Sequence, residues 1–260
     1  MSERVRVVVS GAAGKMGREI CAAVARDPEL ELVGGIDVAP SPGLDLPWSS
    51  DPELLLREVR PRVVVDFSTA SASVGVALAA LRAGASPIIG TSGLTESMVG
   101  QIREAAVTSG LGAAVVPNFA LGAVLMMHFA EIAARFFDSV EVIEAHHDTK
   151  IDAPSGTAIA TAQRMVVARG QDFRRNVPDK ETILGGRGAH YGGVSIHSLR
   201  LPGIIARQEV IFGALGQYLT IAHDTTSREA YLPGVLLAIK RIVERQDFVF
   251  GLEPLLGLNT

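Results

Sequence analysis

The sequence has a single cysteine, Cys21, and no apolar run long enough to cross a membrane. One cysteine cannot form a disulfide within the chain, which argues against a secreted fold stapled by such bridges. The most apolar stretch, residues 119–134, contains His128 and Glu131 and is shorter than the ~20 residues that a spanning helix needs. The first residues also lack the pattern of a signal peptide. We therefore expect a cytoplasmic protein with no membrane contact.

An excess of positive charge is absent as well. The 24 basic and 28 acidic side chains leave a net charge of −4, which argues against a dedicated nucleic-acid binder. In contrast, an apolar content of 48% suffices for a sizeable core and excludes wholesale disorder. A length of 260 residues indicates one or two domains.

The first half of the chain alternates strand-like and helix-like segments. Residues 5–10 are rich in β-branched valine, with an unbroken run at 7–9, which is typical of a strand buried on both faces of a parallel sheet. Residues 16–26 follow with helical spacing, and the alternation continues to about residue 116. This pattern predicts a doubly wound parallel sheet of right-handed β-α units. The predicted strands are 5–10, 32–36, 62–67, 87–90 and 112–116, and the predicted helices are 16–26, 71–83 and 95–109.

The pattern changes near Pro117. Three strand-like runs bunch together in the second half, which favours an antiparallel or mixed sheet in a second, α+β domain. A polar segment rich in arginine and glycine, residues 172–193, is interpreted as a surface loop. The predicted strands are 139–147, 194–199, 207–212 and 217–222, and the predicted helices are 119–136, 156–168 and 227–244.

A glycine-rich loop joins the first predicted strand to the first helix: Gly11-Ala12-Ala13-Gly14-Lys15-Met16-Gly17. It is a variant of the dinucleotide-binding pattern, in which glycines let the backbone approach a pyrophosphate at a helix N-terminus. Asp37 lies twenty residues after Gly17, at the end of the second strand, where it can accept hydrogen bonds from a ribose. The alternative is a plain glycine turn with a solvated aspartate, and the strand-turn-helix context favours the nucleotide site.

The residue after Asp37 bears on the choice of cofactor. It is Val38, so no arginine stands there to bind an additional 2′-phosphate, and Lys15 is the only cation in the loop. We therefore hypothesise that NADH is used at least as well as NADPH.

Residues 144–158 concentrate two of the six histidines and one of the four lysines. Neighbours on a strand point to opposite faces, so His146 and His147 share a focus only if the strand ends between them. A zinc site is therefore disfavoured, and a single cysteine supplies no thiolate ligand set. We expect no metal.

The same segment contains the groups that reduction of an acidic substrate requires. Ser155 is a natural N-cap, and the N–H groups of Gly156 and Thr157 then offer a site for a carboxylate. Lys150 adds a positive charge, and histidine is the side chain best suited to donate a proton near neutral pH. The alternative is an ordinary capped helix after a strand, with solvated polar residues.

Three further segments fall at the carboxyl ends of predicted parallel strands, where ligands bind in doubly wound folds. They are residues 66–69, 90–93 and 116–119. Each of them alone is also compatible with ordinary turn chemistry.

Together these motifs resemble the 4-hydroxy-tetrahydrodipicolinate reductase (dihydrodipicolinate reductase) family of lysine and diaminopimelate biosynthesis. The pattern E-x-H-H-x-x-K-x-D-A-P-S-G-T-A over residues 144–158 carries the resemblance. The sequences GAAGKMG at 11–17, GTSG at 90–93 and PNF at 117–119 are similar to the family's cofactor motifs. The resemblance implies a Rossmann-type domain, residues 1–118 plus 229–260. It also implies a second α+β domain, residues 119–228, for substrate binding and tetramerisation.

The resemblance also implies an activity: reduction of 4-hydroxy-tetrahydrodipicolinate to tetrahydrodipicolinate by NADH or NADPH, with hydride transfer to C4 of a cyclic imine dicarboxylate. By the same resemblance His146 is the proton donor, and Lys150 is a second donor and substrate anchor. His147, Gly156 and Thr157 would bind the substrate carboxylates. The implied cofactor contacts are Gly11, Ala12, Ala13, Gly14, Lys15, Met16, Asp37, Gly90, Thr91, Ser92, Val116, Pro117, Asn118 and Phe119.

Two departures from the family pattern and two rival functions remain. Val38 stands where members that favour NADPH often have arginine, and Arg207-Gln208-Glu209 stands where many members have a histidine. One rival is a dehydrogenase acting on a semialdehyde through a cysteine, for which Cys21 is poorly placed. The other is a non-catalytic NADH-sensing regulator, which would have no use for the His-His-Lys segment.

Overall fold

The structure is a computed structural model that describes residues 3–40, 45–175 and 180–258. These residues divide into two compact units. The first unit comprises the chain up to Ala120 and the chain from Arg228 onward, and the second unit is Leu121–Ser227. The functional roles predicted for the two domains remain predictions.

Strands and helices cover most of the described residues. The strands are β1 (Val5–Ser10), β2 (Leu30–Ile36), β3 (Trp48–Ser49), β4 (Val63–Asp66), β5 (Ser86–Ile89), β6 (Ala113–Val115), β7 (Ser139–His146), β8 (Ala189–Tyr191), β9 (Val194–Arg200), β10 (Ala206–Ala214), β11 (Gln217–Thr225) and β12 (Phe248–Phe250). The α-helices are α1 (Lys15–Arg26), α2 (Pro52–Val59), α3 (Ala70–Arg82), α4 (Glu96–Ser109), α5 (Leu121–Ala133), α6 (Gly156–Arg169), α7 (Leu232–Ile242) and α8 (Glu253–Leu256).

The first unit is a parallel sheet in the strand order β12-β6-β5-β4-β1-β2-β3. Its central strands are buried on both faces, as the β-branched runs predict: Val7, Val8 and Val9 of β1 are all inaccessible to solvent. Apolar side chains of the connecting helices complete this core. The Rossmann-type doubly wound fold predicted from the sequence is therefore confirmed.

The second unit is a mixed sheet in the strand order β11-β10-β7-β9-β8. β7 and β9 are parallel, and the other neighbouring strands are antiparallel. Alternate residues such as Val142, Val210 and Phe212 point toward α5 and α6 and form the core with Met165. This unit is the predicted α+β fold.

Several elements differ from the prediction. The helix expected over residues 227–244 is a 3₁₀ turn, Arg228–Tyr231, followed by α7, because Pro233 lacks an N–H and fits only the first turn of a helix. The loop expected over residues 172–193 contains β8, which pairs with β9, and residues 176–179 lie outside the described part. β3, α2, β12 and α8 were not predicted.

No helix within the described ranges is both long enough and apolar enough to span a bilayer.

Candidate functional site

The glycine-rich loop after β1 is packed so closely that side chains would not fit at two of its positions. Gly11 has φ +76°, and a Cβ there would lie 2.5 Å from the carbonyl oxygen of Phe67. A Cβ at Gly17 would overlap the carbonyl group of Gly11. The loop therefore presents bare backbone at the N-terminus of α1, which is the feature that a pyrophosphate requires.

Asp37 lies directly beside this loop. Its Oδ2 accepts a hydrogen bond from the Ala13 N–H at 2.8 Å, and its Oδ1 accepts one from the Val38 N–H at 2.7 Å. A carboxylate has about four acceptor positions, so two remain for a ribose. Val38, the residue after Asp37, is 90% exposed and carries no charge.

A pocket of ≈ 420 Å³ opens at the carboxyl ends of the parallel strands. Doubly wound folds bind their ligands at this edge of the sheet. A Cβ at Gly90 would run into the rings of Phe67 and Phe119, whose centroids are 5.4 Å apart. The pocket is lined by Met16, Phe67, Ser68, Gly90, Thr91, Ser92, Pro117, Asn118, Phe119 and Tyr231.

The structure brings most of the predicted cofactor residues to this edge of the first unit. Seven line the pocket, and Asp37 contacts the glycine loop, which carries five more. Val116 is fully buried rather than in the pocket lining, and its N–H donates to the Ile89 carbonyl. The pocket residues are Met16, Gly90, Thr91, Ser92, Pro117, Asn118 and Phe119, and the loop residues are Gly11, Ala12, Ala13, Gly14 and Lys15.

A buried carboxylate, Asp66, fixes the loops around the pocket. Asp66 has no solvent exposure, and its oxygens accept hydrogen bonds from Ser68 Oγ at 2.6 Å, from Thr91 Oγ1 at 2.8 Å and from Ser73 Oγ. Ser68 and Thr91 both line the pocket. Asp66 thus ties the end of β4 to the segment after β5.

In the second unit, β7 ends at His146, so His147 lies just outside the strand. Because the strand ends between them, the two imidazole rings could point toward the same place, yet they contact different partners. His146 Nδ1 lies 2.6 Å from Glu144 Oε2, whereas His147 Nδ1 lies 2.7 Å from Thr149 Oγ1. Across residues 3–40, 45–175 and 180–258, no three His, Cys, Asp or Glu side chains are grouped to hold a metal ion.

The Glu144 carboxylate lies at the centre of a buried hydrogen-bond network. Its side chain has no exposure, and it accepts from Arg200 Nη2 at 2.9 Å, from Arg200 Nη1 at 3.0 Å and from the Ser155 N–H at 3.2 Å. Burial acts to raise the pKa of Glu144. Hydrogen bonds from Arg200, Ser198 and His146 outweigh burial, so the pKa is lowered and Glu144 is ionised at neutral pH.

The pKa of His146 is lowered from its ordinary value. Burial is the largest cause, because it disfavours the charged ring, and the positive charges of Lys150 and Arg200 act in the same direction. The hydrogen bond and negative charge of Glu144 oppose this shift. His146 therefore lies between one negative and two positive groups.

Lys150 and the start of α6 complete the cluster. The ammonium group donates to Asp152 Oδ1 at 2.7 Å, which lowers the pKa of Asp152 and leaves the ammonium two further donors. The predicted N-cap is confirmed, since Ser155 Oγ accepts from the Ala158 N–H at 3.2 Å. Gly156 is exposed, Thr157 is half-buried, and both occupy the first turn, where N–H groups have no partner within the helix.

Comparison with known proteins identifies the family. Two family models match in succession: "Dihydrodipicolinate reductase, N-terminus" over residues 5–119 and "Dihydrodipicolinate reductase, C-terminus" over residues 122–256. The chain belongs to the dihydrodipicolinate reductase family. The resemblance stated from the motifs is thereby confirmed, and the chain is an oxidoreductase with a Rossmann-type nucleotide-binding unit.

Relatives that match over almost their whole length support the same family assignment. A 4-hydroxy-tetrahydrodipicolinate reductase from Dehalococcoides mccartyi is 47% identical over 262 residues, covering 98% of this chain and 99% of the relative. One from Moorella thermoacetica is 46% identical over 266 residues, covering 98% and 99%. The solved structure of a dipicolinate-bound dihydrodipicolinate reductase from Paenisporosarcina sp. TG-14 has a TM-score of 0.90 and 39% identity, covering 96% of this chain and 99% of that one.

Sequence reasoning missed three residues of this reductase that border the predicted groups. Glu144 was seen only as a letter of the motif, although it lies two residues before His146 and strand alternation places both on one face. Arg200 is 56 residues distant from Glu144, and only the β7–β9 register brings it opposite His146. Tyr231, which lines the pocket, lies in a 3₁₀ turn within the predicted helix 227–244. Of these three, only Glu144 had a signal in the sequence.

Proposed function

We propose that the protein reduces 4-hydroxy-tetrahydrodipicolinate to tetrahydrodipicolinate with NADH or NADPH, as a step of lysine and diaminopimelate biosynthesis. One observation carries the proposal: β7, α6 and the segment between them hold His146, Lys150 and the N-terminus of α6. A histidine held by a carboxylate, an ammonium group and open helix N–H groups suit protonation and binding of a dicarboxylate. The relatives that carry this reductase name align over 98% of the chain.

The glycine loop fits the pyrophosphate of a nicotinamide dinucleotide. Its backbone is bare where Cβ atoms would collide, and Asp37 is positioned to accept from a ribose hydroxyl. The pocket at the strand ends, with Thr91 and Asn118 in its wall, would hold the nicotinamide end. When bound, the reduced nicotinamide supplies the hydride, which we propose is added to C4 of the substrate ring.

The second unit would bind the dicarboxylate. The N–H groups of Gly156 and Thr157 and the positive end of the α6 dipole attract a carboxylate, and the open space beside Gly156 admits one. His147 and the ammonium group of Lys150 provide further donors for the carboxylates. These fixed positive groups also stabilise negative charge that develops on the ring during reduction.

His146 would supply the proton. Loss of water from the substrate gives a conjugated cyclic imine, and addition of hydride at C4 moves the electron pair toward the ring nitrogen. The resulting enamine then takes one proton from the imidazolium of His146. Hydride and proton together account for the two hydrogens gained, and water leaves. Lys150, near His146 in the chain, would be the second proton donor.

Turnover measurements test this function. We expect the purified protein to oxidise NADH when it is given the freshly generated product of dihydrodipicolinate synthase. His146→Gln should lower kcat by about 10²-fold or more, the usual scale for an acid-base residue. His190→Gln is the matched control, because His190 is exposed on β8, outside the cluster. Near-native turnover of the His146 variant would remove His146 from the mechanism.

We further propose that the protein is a homotetramer that acts in the cytoplasm. The second unit supports assembly, because the sheet face opposite α5 and α6 carries Ile143, Ile211, Leu199 and Tyr218, with Leu199 39% and Tyr218 78% exposed. Native mass spectrometry should give four times the 27.4 kDa chain mass. Cell fractionation tests the location, which we infer from the single cysteine and from the lack of a membrane-span or signal-peptide pattern in the sequence. A monomer or dimer at working concentration would contradict the assembly.

A further inference from the structure

We propose that Glu144 is a positioning residue that sets the tautomer and the charge of His146, and that Arg200 holds Glu144 in place for this task. The inference rests on the proposed function, in which His146 is the proton donor. It adds a negative partner for that donor, in a region where the charges nearest to the ring are otherwise positive.

The tautomer follows from the hydrogen bond. Glu144 accepts two hydrogen bonds from the Arg200 guanidinium and is ionised, so its Oε2 can only accept at the 2.6 Å contact with His146 Nδ1. Nδ1 therefore carries a proton in both charge states of the ring. Nε2 is then the nitrogen that gains and loses the exchangeable proton, and only the doubly protonated ring can act as an acid.

The charge of His146 follows from its neighbours. Arg200 on β9 and Lys150 in the loop after β7 both disfavour the imidazolium, and burial does so more strongly. Glu144 supplies the opposing negative charge, on the same strand and face as the ring. Removal of that charge while the hydrogen bond is kept should therefore make His146 a weaker base.

Arg200 explains why Glu144 stays in position. Its two Nη atoms contact both carboxylate oxygens, and Nη2 also donates to the carbonyl of Asp152, in the loop that carries Lys150. The Ser155 N–H donates to the same carboxylate. One buried carboxylate thereby connects the proton donor, the Lys150 loop and the N-cap of α6. An ion pair that only stabilised the fold would need Arg200 alone, whereas Glu144 also contacts His146 and the N-cap of α6.

Glu144→Gln tests the proposal, because glutamine keeps the shape and an acceptor oxygen but loses the charge. We expect the fall of kcat/KM on the basic side of the pH profile to move to lower pH by about one unit or more, as a carboxylate near an ionisable group shifts its pKa. Above the pKa, one unit lowers the protonated fraction about tenfold. KM should change less than kcat, since His146 acts in the chemical step.

Glu131→Gln is the matched control. Glu131 on α5 forms a partly buried ion pair with Arg164 on α6 in the same unit, at 3.2 Å, with no histidine involved in that contact. It should lower the melting temperature without moving the pH profile. If both variants lose stability and neither moves the profile, Glu144 has only a structural role and the proposal is overturned.

A ¹⁵N NMR titration of the histidines gives an answer that needs neither substrate nor a stable Glu144 variant. The His146 signals are assigned by their loss in His146→Gln. In the unsubstituted protein, the neutral ring should carry its proton on Nδ1; a proton on Nε2 would overturn the proposal. The NMR readout does not depend on turnover. If the protein does not reduce the dicarboxylate, the proposed function is wrong, but the titration still decides whether Glu144 sets the tautomer of His146.

Discussion

Substitution of Gly156 by alanine separates substrate binding from folding at a single methyl group. Gly156 is the first residue of α6, it is exposed, and a Cβ built on it meets no other atom within 4 Å. The fold therefore does not require glycine at this position. If a substrate carboxylate approaches the N–H groups of Gly156 and Thr157, the methyl group takes up space that the carboxylate needs.

The expected effects have opposite signs. Alanine is the better helix former by up to about 1 kcal/mol in a helix interior, so the stability of Gly156→Ala should be unchanged or slightly higher. Loss of one hydrogen bond to a charged group costs about 1.5–3 kcal/mol. At about 1.4 kcal/mol per tenfold, KM for the dicarboxylate should rise roughly tenfold or more. The KM for NADH should stay near its original value, because the proposed cofactor contacts lie on other segments of the chain.

Steady-state kinetics with each substrate varied, together with thermal denaturation, measure these effects. Gly100→Ala is the matched control, because Gly100 lies inside α4 and its Cβ position is also free of contacts within 4 Å. The control should gain stability and keep both KM values. An unchanged KM for the dicarboxylate in a stable Gly156→Ala protein would refute a carboxylate site at the start of α6.

Two further predictions concern the role of Lys150 and the choice between NADH and NADPH. Lys150→Ala should lower kcat and raise KM for the dicarboxylate, each about tenfold, if the ammonium group holds substrate and supports charge in the transition state as we propose. Lys240→Ala is the control, since Lys240 pairs with Asp27 and Glu29, and a change confined to cofactor affinity in Lys150→Ala would refute its role. Comparison of kcat/KM for the two nucleotides should show NADH at least equal to NADPH; a hundredfold preference for NADPH would contradict this.

The sequence predicts the long elements of this fold well because their patterns are locally complete. A buried parallel strand such as β1 is a run of valines, and α4 begins after Thr95, whose side chain accepts from the Met98 N–H. Most of the elements that escaped prediction are short: β3 has two residues, and β12 has three. A strand of that length has no measurable period, and its partner in the sheet determines it. Only α2 had an overlooked signal, an Asp51 N-cap followed by proline.

The residues of the candidate site also fall into two groups, those close together in sequence and those brought together by strand pairing. His146, Lys150 and Ser155 lie within one stretch of sequence, so residue type and spacing alone make them candidates, and the Ser155 N-cap is confirmed. Arg200 reaches Glu144 because β7 and β9 are parallel with His146 opposite Arg200, and a register of this kind is not visible in one sequence. The groups that we propose to do the chemistry are thus visible in the sequence, whereas the groups that hold them depend on how distant strands pair.

Within the segment Arg207-Gln208-Glu209, which departs from the family pattern, the structure shows what Gln208 contacts. Gln208 is buried, lies opposite Glu144 in the β7–β10 register, and its Nε2 donates to Thr161 Oγ1 at 2.7 Å. The Thr161 hydroxyl has one proton, which it donates to the Thr157 carbonyl at 2.7 Å, so Gln208 must be the donor at the other contact. This relay links β10 to the first turn of α6. Gln208 therefore supports the first turn of α6, where we propose that a substrate carboxylate binds, without adding a titrating group.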